Sequence, residues 1–204
     1  MESKATTVSQ LQEKDETGRV YRCIMIDPPW PEHGGGKIKR GADRHYRLLK
    51  LAEIPVVIRS STSWRPDPTG CHLWLWATAT NLPNSFALME ELGFRYVSAR
   101  VWDKRPPNGQ GGLKGRPGLG QYFRHEAEYL LLGVQGKLPV PPPAKRQPST
   151  IRELPREHSR KPEQAYCGAE LISPPPRLEM FARYPRSGWD CWGDEVATAC
   201  GSGV

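Results

Sequence analysis

The seven residues "VYRCIMI", which begin at Val20, leave the chain few structural options. The run is short and apolar and is bounded by turn-forming residues, a pattern typical of a strand that is buried in a parallel sheet. Asp27 follows the run directly, and Pro28 and Pro29 follow Asp27. The sequence therefore predicts a buried strand that ends at a carboxylate.

Segments typical of strands and of helices alternate along the rest of the chain. "HLWLWAT" predicts a second strand, and "RLLKLAEIPVVI" predicts a short helix that Pro55 cuts. "LPNSFALMEELGF" predicts a helix with Asn81 as its N-cap and its end at Gly93. "RYVSARVWDK" and "EAEYLLLGVQG" predict strands, and "KLPVPPPAKRQPST" predicts a surface connection. "KPEQAYCGAELI" predicts a helix with Pro162 in its first turn, followed by a last strand in "RLEMFARY" and a closing segment in "WDCWGDEV".

This alternation predicts an α/β fold of the Rossmann-like, doubly wound type, with a mostly parallel sheet and helices on both faces. In such sheets ligands bind at the carboxyl ends of the strands, which is where Asp27 lies. A length of 204 residues suits one domain. We place that domain at residues 19–196, between flexible tails over residues 1–18 and 197–204.

Charge and composition narrow the range of binding partners and of cellular compartments to be expected. The net charge of +7 favours a polyanionic partner such as nucleic acid, although a basic protein without such a partner is the alternative. The five cysteines form no CxxC pair, and no histidines lie at zinc spacing, so we expect a reducing cytoplasm and no metal. No apolar stretch is long enough to span a bilayer or to act as a signal peptide, so we expect a soluble protein inside the cell.

The stretch "DPPW" suits chemistry on the exocyclic amine of adenine. That amine is a poor nucleophile because its lone pair is delocalised into the ring. Asp27 can accept one amine hydrogen and the carbonyl of Pro28 the other, while Pro29 holds residue 28 extended. Trp30 offers a flat face for an extruded base. The alternative is that Asp-Pro-Pro is only a stiff turn and Trp30 a core aromatic residue.

The order of several motifs resembles the MT-A70 family of adenine-N6 methyltransferases. After "DPPW" come "HYRLLKLAEIP", "LWLWAT", "GFRYVSARVWDK", "EAEYLLLGVQG", "REHSRKPEQAY" and "LEMFARYPRSGWDCWGDEV". The resemblance runs from about Val20 to Val196. The forms "HSRKPE" and "FARYPRSGW" are more similar to the phage and bacterial branch, whose members methylate DNA, than to the eukaryotic branch.

This resemblance implies S-adenosylmethionine as the methyl donor, with Asp27 contacting both the adenine amine and the methionine end of the cofactor. Tyr46 would line the adenine pocket. Lys161 falls where the family places a lysine on the cofactor carboxylate. The segment "LEMFARY" falls where the family holds the ribose and adenine of the cofactor, and its candidate residues are Glu179, Phe181, Arg183 and Tyr184.

The closing "GDEV" departs from the family pattern. Asp194 stands where relatives carry asparagine, and Glu195 follows it. We count both among the cofactor-binding candidates. A carboxylate accepts hydrogen bonds from ribose hydroxyls but cannot donate one, so the contact at residue 194 differs from that of the relatives.

A glycine-rich basic loop over residues 104–125 suits a phosphate backbone and unstacked bases. A solvated loop is the alternative. Arg156 and Ser159 in "REHSRKP" are further candidates for contacting the target nucleotide. Glu128, in the strand after the loop, falls where relatives keep an acid near the active site. The predicted nucleic-acid-binding residues are Lys104, Arg105, Lys114, Arg116, Tyr122, Arg124, Glu128, Arg156 and Ser159.

The sequence thus predicts a methyltransferase that acts on a flipped adenine in DNA, in the cytoplasm of a bacterium or of a phage-infected host. Two alternatives stay open: the substrate is RNA, or the chain is a catalytically silent nucleic-acid-binding subunit of an active partner. Direct methyl transfer requires no metal and no covalent intermediate. Target specificity is expected to come from the chain's own loops, from a homodimer or from a partner subunit.

Overall fold

The computed structural model describes residues 18–31, 48–105, 122–123, 125–156, 160–193 and 196. The predicted tails lie outside the described residues except for Gly18. Most of the basic loop lies outside them as well. In the described ranges, no helix combines the length and the apolar character needed to cross a bilayer.

Within the described ranges, seven strands form a single sheet: β1 (Cys23–Ile26), β2 (Gly70–Ala77), β3 (Arg95–Asp103), β4 (Ala127–Gly136), β5 (Thr150–Arg152), β6 (Arg177–Met180) and β7 (Asp190–Trp192). Their order in the sheet is β5-β3-β4-β2-β1-β6-β7. Strand β4 runs antiparallel to both of its neighbours, and all other pairs are parallel. The prediction of a mostly parallel α/β fold is confirmed.

In the part of the chain that the structure describes, three α-helices cover the two faces of this sheet: α1 (Glu53–Ser60), α2 (Leu82–Glu91) and α3 (Glu163–Ile172). Successive side chains of β1 point to opposite faces, as in any strand. Ile24 and Ile26 belong to the apolar cluster formed with α1 and α2, whereas Cys23 and Met25 belong to the cluster formed with α3. A strand that is apolar on both faces therefore requires the helical layer on each side.

Four local predictions were wrong. "RLEMFARY" does not hold the last strand, because β7 forms in the closing segment and pairs with β6. Pro162 is the N-cap residue of α3, which begins at Glu163, and does not lie in its first turn. Pro55 lies in the first turn of α1, which begins at Glu53, and does not end the helix. The first backbone N–H groups of a helix have no partner within it, so a proline there removes no hydrogen bond. The segment assigned to a surface connection ends in β5, which pairs with Val101–Asp103 of β3. A three-residue strand at the sheet edge depends on that distant partner.

The direction of β4 determines which residues share one edge of the sheet. The carboxyl ends of the six parallel strands meet at this edge. Because β4 runs the opposite way, its first residues, Ala127 and Glu128, also lie there, and Glu128 pairs with Trp102 near the end of β3. Asp27, which follows β1, and Phe181, which follows β6, lie at the same edge.

A carboxylate holds the start of helix α3 at this edge. Oε1 of Glu153 accepts the backbone N–H of Glu163 at 3.0 Å, and its Oε2 accepts that of Gln164 at 3.1 Å. Both N–H groups belong to the first turn, which has no intrahelical acceptors, and the negative charge suits the positive end of the helix dipole. Glu153 thereby positions Lys161 and Pro162, which immediately precede the helix.

We expect Glu153→Ala to lower the free energy of unfolding by about 1 to 2 kcal/mol, because two helical N–H groups lose their acceptor. Urea unfolding of the wild type and the variant measures the difference. Glu90→Ala, on the exposed side of α2, is the matched control and should change stability far less. Equal effects of the two substitutions would contradict the capping role.

Candidate active site

A cavity of about 270 Å³ opens at the carboxyl edge of the sheet, beside the ends of β1 and β6. Six of the residues predicted for catalysis or cofactor binding line it: Asp27, Lys161, Glu179, Phe181, Arg183 and Tyr184. They come from three separate parts of the chain. The fold therefore brings together residues that the motifs had only suggested, and adds Arg160, Glu163, Tyr166, Pro185, Arg186 and Ser187.

The residues that follow β1 form a tight turn. The carbonyl of Pro28 accepts the backbone N–H of Trp30 at 2.7 Å, a hydrogen bond that closes a three-residue turn around Pro29. The carbonyl of Pro29 accepts the N–H of Leu49 at 3.1 Å. A carbonyl oxygen has two lone pairs, so Pro28 retains capacity for a second donor.

Trp30 is buried, with 8% of its surface exposed, and belongs to the core cluster with α1 and α2. Its indole N–H donates to the carbonyl of Trp76 at 2.9 Å, which ties the turn after β1 to the end of β2. One side of Trp30 borders a second cavity of about 230 Å³ beside α1 and α2. Stacking of a base on Trp30 stays a prediction.

Four charged side chains, which we call the charge ladder, connect Asp27 to the end of β3. Lys161 Nζ lies 3.2 Å from Oδ1 of Asp27 and 2.6 Å from Oε2 of Glu128. Oε1 of Glu128 lies 2.5 Å from Nζ of Lys104, the last member. The ladder crosses the sheet from β1 to β3, and Nζ of Lys161 lies 4.8 Å from the ring centroid of Trp76 on the intervening strand β2.

The charge ladder sets the protonation states of its central members. Burial alone raises the pKa of Glu128, but Lys161 and Lys104 outweigh it and lower the pKa to about 2. Burial likewise lowers the pKa of Lys161, and the carboxylates of Asp27 and Glu128 outweigh it and raise the pKa above its usual value. Both groups are therefore charged across the physiological range.

Glu179 is a buried carboxyl group in the wall of the cavity, and burial shifts its pKa upward. Burial raises its pKa to about 7, although the Tyr166 hydroxyl, which donates to its Oε1 at 2.6 Å, opposes that effect. The guanidinium of Arg186 lies 3.7 Å from the centroid of the Tyr166 ring and donates to both carboxylate oxygens of Glu163, at 2.7 and 2.6 Å. This cavity thus contains a carboxyl group that titrates near neutral pH.

Phe181 and Tyr184 supply the aromatic surface of the cavity. Phe181 follows β6 with a φ of 58°, a left-handed conformation that is uncommon for a residue with a large side chain. Its ring packs edge-on against Trp192, with the ring centroids 5.3 Å apart. Tyr184 is half exposed, and the Arg160 guanidinium lies 5.5 Å from its ring centroid. Strained backbone of this kind is concentrated at ligand sites.

Sequence reasoning missed Tyr166, Glu163 and Arg186. Tyr166 lies on the helix predicted from "KPEQAYCGAELI", and Arg186 lies in the quoted "FARYPRSGW". The signal that could have identified them is their presence in the two motifs next to Lys161 and Phe181. The sequence does not show that α3 delivers Tyr166 to Glu179.

The described members of the predicted nucleic-acid surface are mostly engaged within the protein. Lys104 binds Glu128, Arg105 donates to both oxygens of Asp103 at 2.9 and 2.8 Å, and Arg156 pairs with Glu163 at 3.2 Å. Tyr122 is 91% exposed. Their contact with nucleic acid stays a prediction. The predicted residues outside the described ranges are Tyr46, Lys114, Arg116, Arg124, Ser159, Asp194 and Glu195.

Within the described part of the chain, no group of three or more histidine, cysteine, aspartate or glutamate side chains is arranged to hold a metal ion. The donor set of the cavity instead combines carboxylates, cations and aromatic rings. Such a set suits an organic ligand that carries both positive and negative groups.

The sequence matches the MT-A70 family over residues 21–195. The type II methyltransferase M.MunI of Mycoplasma sp is 30% identical over 86% of this chain and 78% of that protein. The N6-methyladenosine RNA methyltransferase MTA1 of Cryphonectria parasitica is 28% identical over 87% of this chain. The N(6)-adenine-specific methyltransferase METTL4 of Mus musculus is 26% identical over 93% of this chain. The chain spans 52% of the fungal relative and 40% of the mouse relative.

We expect Lys161→Met to lower the free energy of unfolding by about 3 kcal/mol near neutral pH, because it leaves two partly buried carboxylates undercompensated. The folded-state pKa of Glu128 is depressed from 4.5 to about 2, so its stabilisation is present above the higher value and is lost as the pH falls towards the lower one. The deficit of the variant should therefore shrink in acid. Urea unfolding at several pH values measures it.

Lys145→Met is the matched control, because Lys145 is exposed on the surface connection. It should leave stability nearly unchanged at every pH. A Lys161→Met deficit that is independent of pH would show that the lysine contributes packing rather than charge.

Proposed function

Because this chain belongs to the MT-A70 methyltransferase family, we propose that it transfers a methyl group from S-adenosylmethionine to the N6 amine of adenine in DNA. The target base is flipped out of the helix to reach the site. The observation that carries the proposal is the position of Asp27, which follows a central strand, lines the cavity and engages only one carboxylate oxygen with Lys161 among the described residues.

The lining of the cavity fits the chemical groups of S-adenosylmethionine. The cofactor carries a sulfonium and an ammonium, which suit Asp27 and Glu179, and a carboxylate, which suits the cations Lys161 and Arg183. Its adenine suits the rings of Phe181 and Tyr184. When bound, the cofactor supplies an electrophilic methyl group.

Asp27 and the neighbouring carbonyl make the adenine amine reactive. The carboxylate accepts one amine hydrogen and the carbonyl of Pro28 accepts the other, which turns the nitrogen lone pair out of the ring. The tight turn around Pro29 fixes this carbonyl relative to Asp27. After transfer the nitrogen is cationic, and its proton leaves to Asp27 or to water.

Two observations support DNA as the substrate. The forms "HSRKPE" and "FARYPRSGW" are similar to those of the phage and bacterial branch. The chain also covers 78% of a type II methyltransferase and only 52% of a named RNA methyltransferase. RNA is the second candidate, because that RNA methyltransferase is 28% identical to this chain. The proposed setting is the cytoplasm of a bacterium or of a phage-infected cell.

The test incubates the purified chain and S-adenosylmethionine with duplex DNA, single-stranded DNA and RNA, and then measures N6-methyladenine by mass spectrometry of the nucleosides. The expected result is methylation that is highest in DNA. Methylation of RNA alone would show that the substrate is RNA and not DNA. Cofactor binding without any methylation would refute the catalytic proposal, whereas the absence of both would support a catalytically silent subunit.

We expect Asp27→Asn to lower kcat by roughly 1,000-fold, because the amide is uncharged and keeps only one acceptor oxygen, for which Lys161 and the amine compete. Circular dichroism should show an unchanged fold. The control is Asp190→Asn: Asp190 pairs with Arg19 at 2.9 Å at the opposite edge of the sheet, so this variant should methylate normally. A wild-type rate in Asp27→Asn would refute the mechanism.

Cofactor binding should release a proton from Glu179. With a pKa of about 7, this carboxyl group is about half protonated near neutral pH, and a cationic ligand beside it favours the ionised form. Its charged neighbours in the free protein are Arg186, Asp27 and Lys161. Calorimetric titration of the cofactor in phosphate and in Tris should therefore show release of about half a proton.

Glu179→Gln should abolish this difference between the two buffers, because the amide does not titrate. Proton uptake, or a release that persists in Glu179→Gln, would show that the cofactor cation does not face this residue.

A further inference from the structure

Glu128 lies outside the cavity, yet both of its carboxylate oxygens are bound to lysines of the site. Oε1 is 2.5 Å from Lys104, and Oε2 is 2.6 Å from Lys161. Its side chain is 17% exposed. Each oxygen thus already accepts one charge-assisted hydrogen bond from a lysine, and Glu128 is not among the residues that line the cavity. This geometry favours a role that Glu128 performs through its lysine partners.

Lys161 is the partner that reaches the reacting groups. A lysine ammonium on its flexible stem has several positions open to it around a single carboxylate. Here Glu128 holds it from one side and Asp27 from the other, and the Trp76 ring lies 4.8 Å from it. The shorter distance is to Glu128, so the ammonium is drawn away from Asp27 and contacts only Oδ1.

This division matters because Asp27 pairs with Lys161 and must also accept a hydrogen bond from the adenine amine. One oxygen is neutralised by Lys161, and in the described ranges no other side chain forms an ion pair or hydrogen bond with this carboxylate. The other oxygen is left to accept the amine hydrogen. If Lys161 lost its second anchor, it would move onto Asp27 and compete with the amine for both oxygens.

We propose that Glu128 is a positioning residue that restrains Lys161, so that Asp27 keeps one carboxylate oxygen for the adenine amine. The inference rests on the proposed methyl transfer and adds a residue that does not touch the substrate. The reversed direction of β4 is what places Glu128 within reach of Lys161.

Glu128→Gln should lower kcat roughly 10- to 100-fold, as expected when a reacting group is misplaced by a fraction of an ångström to an ångström. The KM for nucleic acid should change less than about twofold, because the nucleic acid does not touch Glu128. Glu126→Gln is the matched control, since Glu126 lies two residues away at the same edge. It should leave kcat unchanged.

A double-mutant cycle with Lys161→Met distinguishes positioning from general destabilisation. If Glu128 acts through Lys161, adding Glu128→Gln to Lys161→Met should lower kcat no further. Losses that multiply would overturn the inference. A rise in the nucleic-acid KM with unchanged kcat would also overturn it, in favour of a direct contact.

A second measurement does not depend on activity. The ¹³C signal of the Asp27 carboxyl group, recorded by NMR in the cofactor-free protein, should shift in Glu128→Gln and not in Glu126→Gln. If the wild type methylates nothing while this signal moves, the proposed function fails and the link from Glu128 to Asp27 stands. If the protein methylates and the signal does not move, the inference about Glu128 fails alone.

Discussion

The ion pairs of Lys161 are the interaction on which the site depends. A lysine this deeply placed is stable only because two carboxylates face it, and those carboxylates in turn require its charge. The same ammonium therefore holds the turn after β1, the start of β4 and the segment before α3 in one arrangement. The ion pairs that stabilise this region are therefore the same ones that position the proposed reacting groups.

The direction of a single strand makes this arrangement available. In an all-parallel sheet, the edge that carries the site would collect only residues that follow strands. Strand β4 instead places its first residues at this edge, and Glu128 is held there by pairing with the neighbouring strands. Glu128 and Glu179 are thus held by strands, and Tyr166 by a capped helix, elements that hold side chains more precisely than loops do.

Much of the fold was predictable because its signals are local. The apolar run before Asp27, the alternation in β3 and the glycine that ends α2 each act over a few residues. Pro55 and β5 were mispredicted for a physical reason: a proline's effect depends on which turn of the helix it occupies, and a three-residue strand depends on its partner. Within the site, the motifs supplied Asp27, Lys161 and the residues after β6, but not Tyr166 or Arg186.

By itself, the sequence determined the chemical groups of the protein: a carboxylate after a buried strand, two prolines that shape the turn, and motifs shared with one enzyme family. Only the tertiary structure decided how those groups are paired. It bound Glu128 to two lysines, buried Trp30 against β2 and placed Tyr166 on Glu179. The reason is physical: residue identity and local pattern act along the chain, whereas charge pairing and burial depend on distances between segments that only folding brings together.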